Sequence, residues 1–211
     1  TRLFVERGIK VDLDGLRVLR DEINVEIERL LAAAQVTKAL INSNKKFAER
    51  LNTELERTGR KLPTKRGRNG EIPACAKTDE AMQSFENDGD EAVRALVQAR
   101  LGVRSLNTHH ARLDLMEMSA LIAAGDLKVE LAYYGCRTGR FAGAGGWNIQ
   151  NMAKKGIGGK IRRLLMPHDE SVFIPVDLSQ IEARVIAWIA GQEDLLQQFR
   201  AQMQRPAGTR G

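Results

Sequence analysis

An apolar segment that stops abruptly at a carboxylate constrains this chain more than any other feature. Residues 172–176 (Val-Phe-Ile-Pro-Val) are typical of a buried strand, and Asp177 follows at its end. Beyond it, Ile181, Val185 and Ile189 fall on one face of a helix. A carboxylate placed between a strand and a helix N-terminus can hold a divalent cation against phosphate, because the free helix N–H groups also favour the anion. The junction therefore indicates phosphoryl-transfer chemistry, in which positioning and electrostatics supply most of the catalysis.

Helical periodicity dominates the first part of the sequence. Apolar residues repeat at three- and four-residue steps over residues 12–34, 42–59 and 90–116, which predicts three amphipathic helices. Residues 59–77 combine glycines and prolines with many cations, so we expect a long exposed loop there.

The pattern changes near residue 125. Residues 127–133 alternate apolar and polar side chains, which predicts a half-buried strand. Helices followed by strands indicate an α+β fold. We expect a helical unit over residues 1–125, a strand-containing unit over 126–200, and a disordered or frameshifted tail over 201–211.

Positive charge is concentrated in two zones. Residues 45–68 contain nine Lys or Arg and three Glu, and residues 137–163 contain seven Lys or Arg and no acidic residue. The formal net charge is +6, so the remainder of the chain must sum to −7 (6 − 6 − 7). Two basic zones on an acidic body are typical of a protein that binds a polyanion, although the first zone is also compatible with a solvated basic loop.

Composition excludes several classes of protein. No apolar run approaches the roughly 20 residues that span a bilayer, so we expect no membrane partner. Cys75 and Cys136 lack metal-ligand spacing, which predicts free thiols in a reducing cytoplasm. The chain opens on Thr1 rather than Met, which suggests a fragment.

Three sequence blocks carry a family resemblance. Residues 177–184 (Asp-Leu-Ser-Gln-Ile-Glu-Ala-Arg) resemble motif A of the family A DNA polymerases, the DNA polymerase I group. Residues 138–141 (Thr-Gly-Arg-Phe) and 147–151 (Trp-Asn-Ile-Gln-Asn) resemble the T-G-R…Q-N segment of that family. Tyr-Tyr-Gly at 133–135 looks most like bacteriophage or prophage members. Residues 1–199 can be placed against the thumb and early palm, which implies that 1–125 is thumb and 126–200 is palm.

The resemblance implies roles for the residues of motif A. Asp177 would ligate two Mg²⁺ ions, and the backbone carbonyl of Leu178 would complete one coordination sphere, a ligand set that suits Mg²⁺. Ser179 and Gln180 would bind the incoming deoxynucleoside triphosphate. Arg140 would act with them, reading the minor groove at the primer terminus, where its planar donors suit the acceptors of every base pair.

Glu182 has two interpretations. In the family it would be a steric gate whose bulk closes the space of a ribonucleotide 2′-hydroxyl, and it would thereby contribute to the catalytic site. From the residues alone, Ser179 followed three positions later by Glu182 is a capping box, in which the Glu satisfies a free N–H at the helix start. Both roles need a Glu on the first helical turn.

Contacts with primer-template DNA are implied at three places in the sequence. Short polar side chains and helix N-terminal amides suit phosphate contacts. Gln150 or Asn151 alone would be an ordinary surface polar residue, and Leu106 and Asn107 depart from the family's Lys-Ser-Thr contact. The implied DNA-binding residues are Asn42, Ser43, Asn44, Lys45, Arg104, Ser105, Arg140, Gln150 and Asn151.

Three functions compete. The first is a fragment of a template-directed DNA polymerase, inactive alone because the fingers helix and the second metal-binding Asp do not occur in the 211 residues. Two-metal chemistry needs carboxylates on both sides of the ions, and Asp177 cannot supply both. The second is a non-catalytic module that binds duplex DNA, and the third is a degenerate prophage remnant.

Overall fold

Two compact units make up the computed structural model of the chain, residues 1–170 and residues 171–211. The structure describes residues 8–68, 70–144, 148–174 and 180–203. The first unit contains, in chain order, β1 (Ile9–Val11), α1 (Leu13–Ala33), α2 (Lys38–Asn42), α3 (Asn44–Glu56), β2 (Thr64–Gly67), β3 (Gly70–Pro73), α4 (Glu80–Phe85), α5 (Glu91–Ile122), β4 (Asp126–Leu127), β5 (Leu131–Ala132), β6 (Ala142–Gly143), a 3₁₀ turn (Ile149–Asn151), α6 (Gly156–Arg163) and β7 (Leu165–Met166). The second unit contains α7 (Ile181–Ile189) and α8 (Glu193–Met203). Long helices with few short strands confirm the predicted α+β class.

Helices α1 and α5 pack along each other and carry much of the core of the first unit. Helix α1 begins where predicted, because the Asp12 carboxylate accepts a hydrogen bond of 2.9 Å from the Gly15 amide. Asp90 caps α5 in the same way. Burying an aliphatic side chain of the size found here contributes about 1.5–3 kcal/mol. The side chains that are at most 1 % exposed include Leu16, Ile23, Leu51, Leu96, Val97, Leu113 and Met116.

A hairpin occupies part of the region predicted as a long exposed loop, so that prediction is wrong for residues 64–73. Strands β2 and β3 pair antiparallel, with Thr64 opposite Pro73 and Gly67 opposite Gly70. Gly70 has a φ of +127°, which favours glycine. Backbone pairing stabilises this hairpin, and side-chain periodicity carries little information about such pairing when both faces are polar.

The single strand predicted over residues 127–133 is instead two short strands with different partners. β4 pairs with β1, which lies between β4 and β7 in an antiparallel three-stranded sheet. β5 pairs with β6 in a separate two-stranded sheet. The alternation of side chains was recognised correctly, but the change of partner depends on strands that are distant in sequence.

The second unit departs most from expectation. Residues 171–174 form no strand, and Val172 and Ile174 are 76 % and 78 % exposed. The prediction of a buried strand is therefore wrong for residues 172–174, and the rest of the predicted strand lies outside the described residues. A buried strand requires paired backbone neighbours, and none is present for this segment in the described ranges.

Helix α7 also buries less than its sequence predicts. Its buried side chain in the described structure is Ala187, and α7 packs against α8. When two short helices pack together, each buries only the side chains on the face turned towards the other, whereas the apolar residues of α7 lie on several faces. Helix α8 extends to Met203, so the first residues of the predicted disordered tail are helical. The apolar residues that the sequence places on one face of this helix, Ile181, Val185 and Ile189, are exposed, and so are Ile186 and Trp188.

Two further observations bear on the composition. Both cysteines are free thiols, as predicted; Cys75 is buried and Cys136 is exposed. Among the helices in the described ranges, none combines the length and the apolar content that a membrane span requires.

Candidate nucleic-acid interface

The turn between α2 and α3 presents polar side chains at the start of a helix. Asn42 ends α2, Ser43 caps α3 by accepting a 3.3 Å hydrogen bond from the Lys46 amide, and Asn44 is the first residue of α3. The first turn of α3 contains no acidic residue, and Lys45 and Lys46 are exposed there. Cations at the positive end of a helix are unfavourable by about 0.3–1 kcal/mol each. This arrangement therefore suits an external anion better than it suits the stability of the helix.

Side chains of α5 hold this turn. Arg104 Nη1 donates to Asn44 Oδ1 at 3.2 Å, and Asn107 Nδ2 donates to Asn42 Oδ1 at 3.2 Å. An open groove of about 560 Å³ borders this turn. Its lining residues on α5 recur at helical spacing, so the groove follows one face of that helix. The lining residues are Asn42, Arg104, Asn107, Thr108, Ala111, Arg112 and Leu115. Ser105 is exposed but does not line the groove.

Arg112 connects this groove to the segment that resembles Q-N. It also lines a second cavity of about 190 Å³, together with Asn148 and Asn151. The sequence interpretation missed Arg112 and discounted Asn107. The signal that could have identified both was their helical spacing from Arg104, which places the three side chains along one face of α5.

The T-G-R segment forms a tight turn. The Gly139 amide donates to the Cys136 carbonyl at 2.9 Å, and the Cys136 amide donates to the Arg140 carbonyl at 3.2 Å. Gly139 has a φ of +74°, and a Cβ there would lie 2.9 Å from the Tyr134 ring. The glycine is therefore required for the turn that presents the exposed Arg140. Gln150 lies in the 3₁₀ turn, and its side chain is outside the described structure.

Ion pairs reduce the positive charge of the first basic zone. Arg60 pairs with Asp88 at 2.5 Å, and Lys65 pairs with Asp79 at 2.6 Å. Hydrogen bonds from these two basic side chains hold the pKa of Asp88 and of Asp79 below the ordinary value. Both acids lie outside residues 45–68, so the excess of six charges counted from the sequence overstates what remains available. The exposed basic residues of the zone are Lys45, Lys46, Arg57, Lys61, Arg66 and Arg68.

The motif A residues of the predicted catalytic site fall in the second unit. Asp177, Leu178 and Ser179 lie outside the described residues, so their metal and nucleotide contacts stay predictions. Gln180 caps α7 with a φ of 55° and makes no side-chain capping hydrogen bond. Glu182 is the second residue of α7. The capping box predicted between Ser179 and Glu182 involves a residue outside the described structure, so that alternative stays a prediction.

The rest of the second unit gives Glu182 its surroundings. Glu182 is exposed on the first turn of α7. The guanidinium carbon of Arg184 lies over the Phe199 ring, 4.6 Å from its centroid. In the described ranges, no group of three His, Cys, Asp or Glu side chains is arranged to hold a metal ion.

Comparisons with known proteins agree on one family. The sequence model of DNA polymerase family A matches residues 14–204. A DNA polymerase I from Caldicellulosiruptor bescii is 30 % identical over 201 residues, which is 92 % of this chain and 22 % of that protein. The POL domain of Pol1 from M. smegmatis, solved in complex with DNA primer-template and dNTP, has a similar fold. Its TM-score is 0.60 at 24 % identity, over 86 % of this chain and 30 % of that domain. The chain thus spans less than a third of the length of each of these relatives.

Proposed function

This chain belongs to DNA polymerase family A, and we propose that it supplies the duplex-binding surface and the first metal-binding carboxylate of a template-directed DNA polymerase. One observation supports the proposal above the others. Three segments in which the family resemblance implies DNA contacts meet along one side of α5: the turn at 42–45, residues 104–108, and residues 148–151. The bacteriophage origin and the division into thumb and palm at residue 125 stay predictions.

The groove along α5 is suited to the backbone of primer-template DNA. Asn42 and Asn44 offer short polar side chains, and Arg104, Arg112 and the lysines of α3 offer charge. Contacts of this kind fix the register of a duplex without reading its sequence, as a polymerase requires. In the proposal, Ser43 caps the helix that binds phosphate, and Ser105 lies at the margin of the surface.

Arg140, Gln150 and Asn151 would contact the nascent base pair. Arg140 is exposed on a hydrogen-bonded turn, and Asn151 lines the cavity beside Arg112. Because minor-groove acceptors are similarly placed in all base pairs, such donors test the geometry of pairing and do not select a base.

The reaction chemistry would depend on motif A. Asp177 and the Leu178 carbonyl offer the oxygen ligands that Mg²⁺ prefers. When bound, the metal would neutralise charge on the triphosphate of a deoxynucleotide. Ser179 and Gln180 would place backbone amides at the start of α7 near those phosphates. Glu182, exposed on the first turn of α7, would exclude a ribonucleotide by its bulk.

We further propose that the isolated 211 residues do not extend a primer, because no His-Asp-Glu motif follows Asp177 in the sequence to supply a second metal-binding carboxylate. The His-Asp-Glu at residues 168–170 precedes motif A, and its Asp169 pairs with Lys10 at 2.9 Å. Binding and chemistry are therefore separable, and each can be assayed. A degenerate remnant differs from the proposal in the binding assay, because it would not bind duplex DNA. A non-catalytic duplex-binding module differs in its genetic context, because its gene would not encode the fingers helix and the His-Asp-Glu motif.

Fluorescence anisotropy with a labelled primer-template duplex tests the binding surface. With Lys45, Lys46, Arg104 and Arg112 as four phosphate contacts, the slope of log K against log salt concentration should be about −3.6. A folded chain that fails to bind duplex at low salt would contradict the proposal and favour the remnant. A primer-extension assay on the same sample, supplied with deoxynucleoside triphosphates so that any residual activity is detected, should show no product.

A further inference from the structure

A fully buried arginine lies directly beneath the proposed duplex surface. Arg100, on α5, is 0 % exposed, and in the described part of the chain it forms no ion pair with a carboxylate. Burial of the guanidinium, together with the nearby Arg104, lowers the pKa of Arg100. A buried charge without a counter-ion is costly, and apolar replacements of buried ions are often neutral or stabilising. Stability alone therefore does not account for this residue.

The contacts of Arg100 reach both sides of the α2–α3 turn. Nη1 donates to the Ile41 carbonyl in the last turn of α2, and Nη2 donates to Asn44 Oδ1 at the start of α3. The guanidinium also lies over the Phe47 ring, with its carbon 4.9 Å from the centroid. The Ile41 carbonyl belongs to the group of helix C-terminal carbonyls that lack a partner within their own helix. One side chain thus joins the end of one helix to the beginning of the next.

These hydrogen bonds also orient the side chain of Asn44. Its carboxamide oxygen accepts from both Arg100 and Arg104, the latter at 3.2 Å. Because oxygen and nitrogen occupy opposite sides of a carboxamide, the NH₂ group is directed away from α5. Asn42 is oriented similarly by Asn107. An asparagine turned the other way would present an acceptor, which repels a phosphate oxygen.

We infer that Arg100 is a positioning residue that sets Asn44 and the α2–α3 turn as hydrogen-bond donors for the DNA backbone. The inference rests on the proposed duplex-binding function of the same surface. Arg100 touches no phosphate itself, because its side chain is entirely buried. Its contribution to binding therefore passes through neutral donors, which release no counterions, whereas Arg104 contributes charge directly.

Because Arg100 acts through neutral donors and Arg104 through its charge, their substitutions should give two distinct salt profiles in a duplex titration of the full 211-residue chain. R100M should weaken binding about tenfold at every salt concentration, as the loss of an oriented charge-assisted hydrogen bond implies, and leave the slope unchanged. R104A should reduce the steepness of the slope by about 0.9. R100K, which keeps the charge and a donor, should recover part of the lost affinity. R94M is the matched control, since Arg94 also lies on α5 and donates to a backbone carbonyl, that of Asp88 at 2.8 Å, away from the turn.

A double-mutant cycle tests the route through Asn44. N44A should lose affinity to a similar extent as R100M, and the two changes together should cost little more than either alone. Additive losses would overturn the inference, as would a reduced slope for R100M or unchanged binding of a folded R100M. If R100M does not fold, N44A alone decides, because Asn44 is exposed and its substitution leaves the core intact; unchanged binding of N44A refutes the inference. Failure of the wild-type chain to bind duplex would instead refute the proposed function.

Discussion

Arg112 offers the sharpest test of where duplex DNA lies on this chain. It is exposed on α5 and lines both the groove beside Asn42 and the cavity beside Asn151. If both regions follow one DNA backbone, Arg112 contacts a phosphate near the middle of that path. Replacing it with alanine then removes one of the four proposed phosphate contacts and changes nothing in the core.

The magnitude follows from counterion release. With four contacts, a fourfold increase in salt, from about 50 to about 200 mM, should weaken wild-type binding by about 150-fold; with three, R112A should weaken by only about 40-fold. The ratio of roughly 3.5 is measurable by fluorescence anisotropy at several salt concentrations. R29A is the matched control, since Arg29 is an exposed arginine of α1 that pairs with Glu26 at 2.7 Å and lies outside both lining sets.

The result that would refute this placement is an equal change in slope for R112A and R29A. Net charge alone would then explain the binding, and the groove would have no special role. A surface ion pair such as Arg29–Glu26 contributes little to folding, so R29A should unfold at nearly the wild-type temperature.

Three other perturbations test the fold and the chemistry. D12A removes the cap of α1 and should cost about 1 kcal/mol, a fall in Tm of about 2–4 °C by calorimetry; an unchanged Tm would mean that the cap contributes nothing. The hydrogen bond from Lys65 holds the pKa of Asp79 below 3.8 when folded, so its stabilisation is complete above the unfolded pKa and is lost as pH falls through the folded pKa. Urea unfolding against pH should therefore show a shallower acid loss for D79N than for wild type, and parallel curves would contradict the assignment. In a complete polymerase carrying this motif A, Glu182→Ala should raise ribonucleotide incorporation in primer extension, and unchanged sugar discrimination would exclude the gate.

Local signals in the sequence were sufficient for the longest helices, α1, α3 and α5. Asp12 and Asp90 mark the N-termini of α1 and α5, because an N-cap needs only a side-chain oxygen and the amides two or three residues later. The family was also recognisable, since motif A is a contiguous run of residues and does not depend on distant contacts. The predictions failed where apolar character alone was taken for burial, as in α7, whose side chains need a covering surface.

The sequence by itself determined helices α1, α3, α5 and α7 and the family to which the chain belongs, because helical periodicity, capping and motifs all act over a few residues. Only the tertiary structure decided which polar side chains share a surface. Asn107 meets Asn42 across 65 residues, and Arg100 meets Ile41 across 59. It also decided that Asp79 and Asp88 neutralise part of the first basic zone. Such pairings depend on which helix faces pack together, and that packing is set by the whole core, so a local pattern does not specify it.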